Sequence, residues 1–145
     1  MQLRWRMHRT VYKSRIHVLQ TLNTMPIITF ETNVKIHNPD AFAMSLSETF
    51  TPFLGFPEQY VQITINEGKA MTFGRSTDPI CVCSIVTIKA GEGDHNERVI
   101  GALTEFAERK LGICSDRQAI VFLNPGKKNI GFQGQTLDVL MPELN

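Results

Sequence analysis

The apolar positions of one predicted helix recur in a second at a fixed distance. Phe42, Leu46, Phe50 and Leu54 follow one another at intervals of four, and Val99, Leu103, Ala107 and Leu111 repeat the series 57 residues later. A four-residue interval sets side chains on one face of an α-helix, so each series predicts an amphipathic helix with a single buried stripe. An apolar, β-branched segment precedes each helix and another follows it: 27–34 and 60–65 around the first, 81–89 and 118–124 around the second. Short runs of that composition read as strands. The chain is therefore two copies of a strand–helix–strand unit. Two such units with one-sided helices predict an α+β fold, a four-stranded sheet carrying two antiparallel helices on one face.

Local signals set the helix ends. Asn38-Pro39-Asp40 supplies an N-cap and then proline at the first helical position. Asp94 and Glu97 have the spacing of a capping box, and Gly55 and Gly112 stand where the two helices should stop. The segments 81–89 and 119–123 are apolar at successive positions, hence on both faces of a strand. The helices bury one face, and self-association is the expected cover for the other.

Composition excludes several classes. At 145 residues, with 42% hydrophobic and 20% charged, the chain fits one globular domain with a sizeable core. A formal net charge of +1 gives no support to a nucleic-acid or membrane-surface role. No apolar run approaches the roughly 18 residues of a membrane span. The odd cysteine count excludes a disulfide framework. Cys81 and Cys83 are expected to share one strand face as buried thiols. The four histidines show no metal-ligand spacing, so no structural zinc is expected. Lys127 and Lys128 follow Pro125-Gly126 and read as a solvated turn.

The charge is uneven. Residues 1–24 hold Arg4, Arg6, Arg9, Lys13 and Arg15 and no acid, which leaves ten cations against fourteen acids from residue 25 onward. Such a basic, acid-free leader has the composition of an organelle transit peptide. The plainer reading is upstream sequence ahead of a start at Met25. Residues 25–145 are expected to form the single folded domain, with 1–24 a leader processed away or never translated.

The segment Met25-Pro-Ile-Ile-Thr-Phe-Glu-Thr-Asn-Val34 resembles the start of the macrophage migration inhibitory factor (tautomerase) family. Pro57-Glu-Gln-Tyr60, Met71-Thr-Phe-Gly74, Ser76-Thr-Asp-Pro79, Ser115-Asp-Arg117 and Asn129-Ile-Gly-Phe-Gln-Gly134 resemble its later signatures, in order, so the likeness covers residues 25–137. The resemblance implies a homotrimer with a pocket at each subunit interface. It implies cofactor-independent keto–enol tautomerase activity on small aromatic substrates such as phenylpyruvate or dopachrome. It also implies cytokine-like signalling through a cell-surface receptor, with the protein cytoplasmic and exported without a signal peptide. The catalytic residue it implies is Pro26, exposed as the first residue once Met25 is removed. The matching substrate pocket is Ile27, Phe56, Tyr60, Ile88, Ala119, Val121 and Phe132.

This chemistry has a physical basis. Moving a proton between an α-carbon and a carbonyl oxygen needs a base whose pKa lies near working pH. A terminal proline is a secondary amine, ordinarily protonated at neutrality, and apolar surroundings disfavour its charged form. The sequence departs from the family at three polar positions. Phe56 stands where a lysine is common, and Ala119 and Val121 stand where well-studied members have tyrosine and asparagine. A carboxylate buried without those partners costs several kcal/mol. Weak activity on phenylpyruvate and a preference for less polar or esterified substrates are therefore expected. If Met25 stays attached, Pro26 is a tertiary amide and has no basic lone pair. A catalytically inactive receptor-binding protein on the same fold is the alternative.

Overall fold

The structure is a computed structural model and describes residues 25–54 and 57–142. The leader 1–24, the expected helix stop at Gly55 and the pocket position Phe56 lie outside the described residues.

Four strands and two long helices appear in the predicted order: β1 (Ile27–Thr32), α1 (Pro39–Leu54), β2 (Gln62–Asn66), β3 (Cys81–Val86), α2 (His95–Leu111) and β4 (Gln118–Leu123). A short hairpin, β5 (Gly131–Phe132) and β6 (Gln135–Thr136), and a single turn of helix, α3 (Leu137–Leu140), complete the order. The main sheet runs β2-β1-β3-β4. Each copy contributes one parallel pair, β1 with β2 and β3 with β4, and the antiparallel β1–β3 pair joins the copies at the centre.

The two faces of the sheet differ sharply. Ile28, Phe30 and Thr32 of β1 and Cys81, Cys83 and Ile85 of β3 lie under the helices at no more than 1% exposure. Phe42, Leu46, Phe50 and Leu54 of α1 and Val99, Leu103 and Ala107 of α2 close over them. Phe30, Phe42 and Phe106 form a tilted aromatic ladder with centroid spacings of 5.4 and 5.3 Å. The opposite face has no such cover: Val121 is 53% and Leu123 57% exposed.

The helix caps divide. Asn38 accepts the Ala41 N–H at 3.1 Å through its side chain, as its position predicts. Gly112 adopts φ +66°, and its N–H bonds Glu108 O at 3.0 Å, the 5→1 bond of an αL stop, with Ile113 N–H to Ala107 O beside it. The expected capping box is not formed. Asp94 sits at φ −94°, ψ 13° and makes no side-chain cap bond. The side chain that orders this loop is Asn96, which accepts the Gly91 N–H at 3.1 Å. Leu111 is only partly buried, and Phe106 completes the stripe in its place.

The strands are shorter than their apolar runs. β1 stops because the Thr32 hydroxyl takes the Val34 N–H and donates to Ile80 O, turning the chain. β3 stops because Thr87 takes the Lys89 N–H on its hydroxyl and the Ala90 N–H on its carbonyl. Tyr60, read as the start of a strand, belongs instead to a 3-10 turn, Glu58–Tyr60, whose N–H bonds Pro57 O at 3.0 Å.

Candidate active site

Register brings the expected residues to one end of the sheet. Ile27 is paired with Gln62 on β2 and with Val86 on β3. The Pro26 carbonyl accepts the Gln62 N–H at 3.1 Å, which fixes Pro26 two residues from Tyr60. Continuing the antiparallel β1–β3 register sets Pro26 opposite Thr87 and Met25 opposite Ile88. Pro26 is buried there, and Thr87 is fully buried beside it.

Met25, Tyr60, Ile88 and Phe132 pack with Leu140 around Ile130, Leu137 and Met141, which are buried. This cluster is separate from the main core. Phe132 is delivered by the β5–β6 hairpin, whose loop Gln133-Gly134 has φ of 51° and 78°. Two successive residues at positive φ make the tight turn that matches strand twist. The ladder continues through Leu137 N–H to Ile130 O at 3.0 Å. Ile88 is held by its backbone, since the Asn124 side-chain amide donates to its carbonyl at 2.9 Å.

Three of the expected pocket side chains, Tyr60, Ile88 and Phe132, thus come together in one chain beside Pro26. Ile27 follows Pro26 on β1 and is half-buried, but its side chain is not part of that cluster. Ala119 and Val121 do not join them. They project from the open face of β4, paired across to Val82 and Ser84. Ile130, Leu137, Leu140 and Met141 were missed by sequence reasoning. The spacing of the last three, i, i+3 and i+4, is a helical apolar pattern in so short a segment that it carries little signal.

A second concavity, of about 300 Å³, lies at the other end of β3 and β4, lined by Met71, Phe73, Cys81, Val82, Arg117 and Ala119. Five residues of strand separate the two ends, roughly 16 Å. Arg117 dominates this groove but is occupied: it donates to the carbonyls of Pro79, Asp78 and Ser76 and lies 5.7 Å from the Phe73 ring centre. Cys81 lines it as well, and burial pushes that thiol up to about 12, so it is inert as a nucleophile near neutrality. Asp116 lines the groove as well, whereas Tyr60, Ile88 and Phe132 gather at the Pro26 end. Among the described residues no group of three or more His, Cys, Asp or Glu is placed to hold a metal ion.

The model of the family described as macrophage migration inhibitory factor (MIF) matches residues 25–138. The macrophage migration inhibitory factor of Xenopus laevis is 32% identical over 113 residues, 77% of this chain and 98% of that protein. A homologue from Trichinella spiralis is 33% identical over 77% of this chain and 99% of its own. Among solved structures, the Trichinella spiralis protein superimposes with a TM-score of 0.69 at 32% identity, covering 76% of this chain and 98% of that one. A homologue from Prochlorococcus marinus gives a TM-score of 0.71 at 28% identity, over 77% and 98%. The matched region of this chain therefore corresponds to nearly the whole length of these relatives.

Proposed function

This chain belongs to the macrophage migration inhibitory factor family, and from that premise we propose that it is a keto–enol tautomerase whose acid and base is the secondary amine of Pro26. The observation that carries the proposal is the convergence of Tyr60, Ile88 and Phe132 on Met25, next to Pro26. Amine and substrate would meet in an apolar, largely dry setting. There the ammonium form loses hydration, so the amine pKa falls toward neutrality and the group can take and return a proton. The amine removes a proton from the α-carbon as the carbonyl π-electrons move to oxygen. That oxygen then takes a proton, and the enol results. The reverse sequence gives the ketone.

Met25 decides whether this chemistry exists. With Met25 attached, the Pro26 nitrogen is an amide, and the Met25 side chain packs against the cluster that would receive substrate. The active form is the one that begins at Pro26. Its assembly is a homotrimer, a reading supported by the exposed apolar side chains Val121 and Leu123 on the open sheet face. Its substrates are small aromatic keto–enol compounds with little negative charge, because Ala119 and Val121 bring no polar group to a neighbour's pocket.

The test compares three forms: one beginning at Pro26, one beginning at Met25, and Pro26→Gly in the first. Ketonisation of the phenylpyruvate enol and of its methyl ester is followed by ultraviolet absorbance. Turnover confined to the Pro26-first form, faster on the ester, is the expected result. Equal turnover in the Met25-first form would refute the proline mechanism. A second reading, a receptor-binding protein without catalysis, is favoured by the apolar Ala119 and Val121. Saturable binding to cell surfaces, unchanged by Pro26→Gly, would support it. Either activity fits a protein that is cytoplasmic and exported without a signal peptide.

A further inference from the structure

The family match ends at residue 138, yet the chain continues into the candidate site. α3 spans Leu137–Leu140, and Met141 follows it, bonded by its N–H to Leu137 O at 2.8 Å. Met141 is 3% exposed, whereas Val139 is 59% exposed. Leu140 and Met141 therefore face inward, onto the same cluster as Tyr60, Ile88 and Phe132, while Val139 faces out. A four-residue helix has little stability of its own, so this turn is held down chiefly by the side chains it buries.

We propose that Leu140 and Met141 form a lid on the pocket beside Pro26 and set the size of ligand that reaches the amine. The inference rests on the tautomerase reading of that pocket and adds what limits access to it. Two observations carry it. The buried face of the turn lies on the residues that would surround the substrate, not on the main core. Leu140 and Met141, which extend that face beyond Leu137, also lie past the part of the chain shared with the family model. With the lid seated, a small unbranched group passes to Pro26. A planar aromatic ring requires Leu140 and Met141 to move outward, at the cost of the apolar contact that seats them.

The experiment uses the form beginning at Pro26, since residues 25–138 correspond to nearly whole relatives. Three versions are compared: the parent, a chain ending at Asp138, and Leu140→Ala/Met141→Ala. Each is treated separately with methyl isothiocyanate and phenyl isothiocyanate. The proline nitrogen adds to the central carbon, its proton moves to the reagent nitrogen, and a thiourea forms with no leaving group. Mass analysis of the N-terminal peptide gives the two rates.

Removal of the lid is expected to raise the phenyl-to-methyl rate ratio about tenfold, the scale of steric discrimination in apolar pockets. A ratio within twofold of the parent, or equal acceleration of both reagents, would overturn the lid. If the shortened chain fails to fold, as judged by circular dichroism, the double-alanine form carries the same test. Turnover has no part in this readout. Absence of keto–enol activity in every form would sink the tautomerase reading alone, and the ratio would still decide the lid.

Discussion

The main core and the small cluster beside Pro26 are built in opposite ways. Among the described residues, the core draws fifteen buried side chains from both copies of the repeated unit, and most have no measurable exposure. The small cluster has three buried residues, and its other members are only partly covered. It is not duplicated. Its parts come from the start of the domain, the turn before β2, the end of β3, the β5–β6 hairpin and the tail. The core is where close packing fixes the fold. The cluster has little burial to lose, and mobile binding elements are drawn from such low-stability regions.

The comparison breaks most visibly if catalysis and stability fail to separate. Pro26→Gly in the Pro26-first form should lower turnover by about 10²–10⁴-fold, the worth of a positioned general base. It should leave the urea midpoint close to the parent. Leu103→Ala should do the reverse. Leu103 is fully buried, and removing such a side chain costs about 2–5 kcal/mol. Turnover per folded molecule should persist. Urea unfolding and enol ketonisation on both variants decide the matter, and a Pro26→Gly chain that unfolds would dissolve the distinction.

A smaller effect concerns the open face of the sheet. Leu123 is 57% exposed in the single chain, and an assembly that uses this face must desolvate it. Leu123→Asp should shift sedimentation from a trimer toward the monomer and leave the α-helical circular dichroism signal in place. An unchanged sedimentation coefficient would mean that the open face is not the contact. Intermediate in scale is the preference for ester over acid substrates. It should narrow when Val121 is replaced by Asn, because an amide can pair with a carboxylate that the valine leaves bare.

The same contrast explains what the sequence revealed. The core was legible because helical spacing and β-branched runs encode burial locally, and the 57-residue repeat doubled the signal. Strand ends were less legible. Thr32 and Thr87 terminate β1 and β3 through side-chain and backbone bonds that composition does not announce. At the site, Tyr60, Ile88 and Phe132 were reached through family resemblance, and periodicity alone would not have joined them. Leu137, Leu140 and Met141 were missed because their role depends on a hairpin that folds the tail back. The false capping box at Asp94 shows the opposite failure, a correct local pattern overruled by Asn96 holding the loop.

The thiols of the core sharpen the contrast at the smallest scale. Cys81 and Cys83 are both raised from the ordinary value of 9.0 to about 12, by burial in each case and for Cys83 also by the charge that Cys81 would carry. Between about 9 and 12 the folded chain therefore holds thiol protons that the unfolded chain has released. Stability falls as pH rises wherever the folded state binds more protons. The contribution of these groups is thus fully present below pH 9 and is lost progressively toward pH 12. A single thiol accounts for roughly 1.4 kcal/mol per pH unit inside that window. Urea unfolding at pH 8 and pH 10 should show a steeper loss in the parent than in Cys83→Ala, once the loss common to both is subtracted. Parallel slopes in the two proteins would mean that the buried Cys83 thiol titrates without resistance.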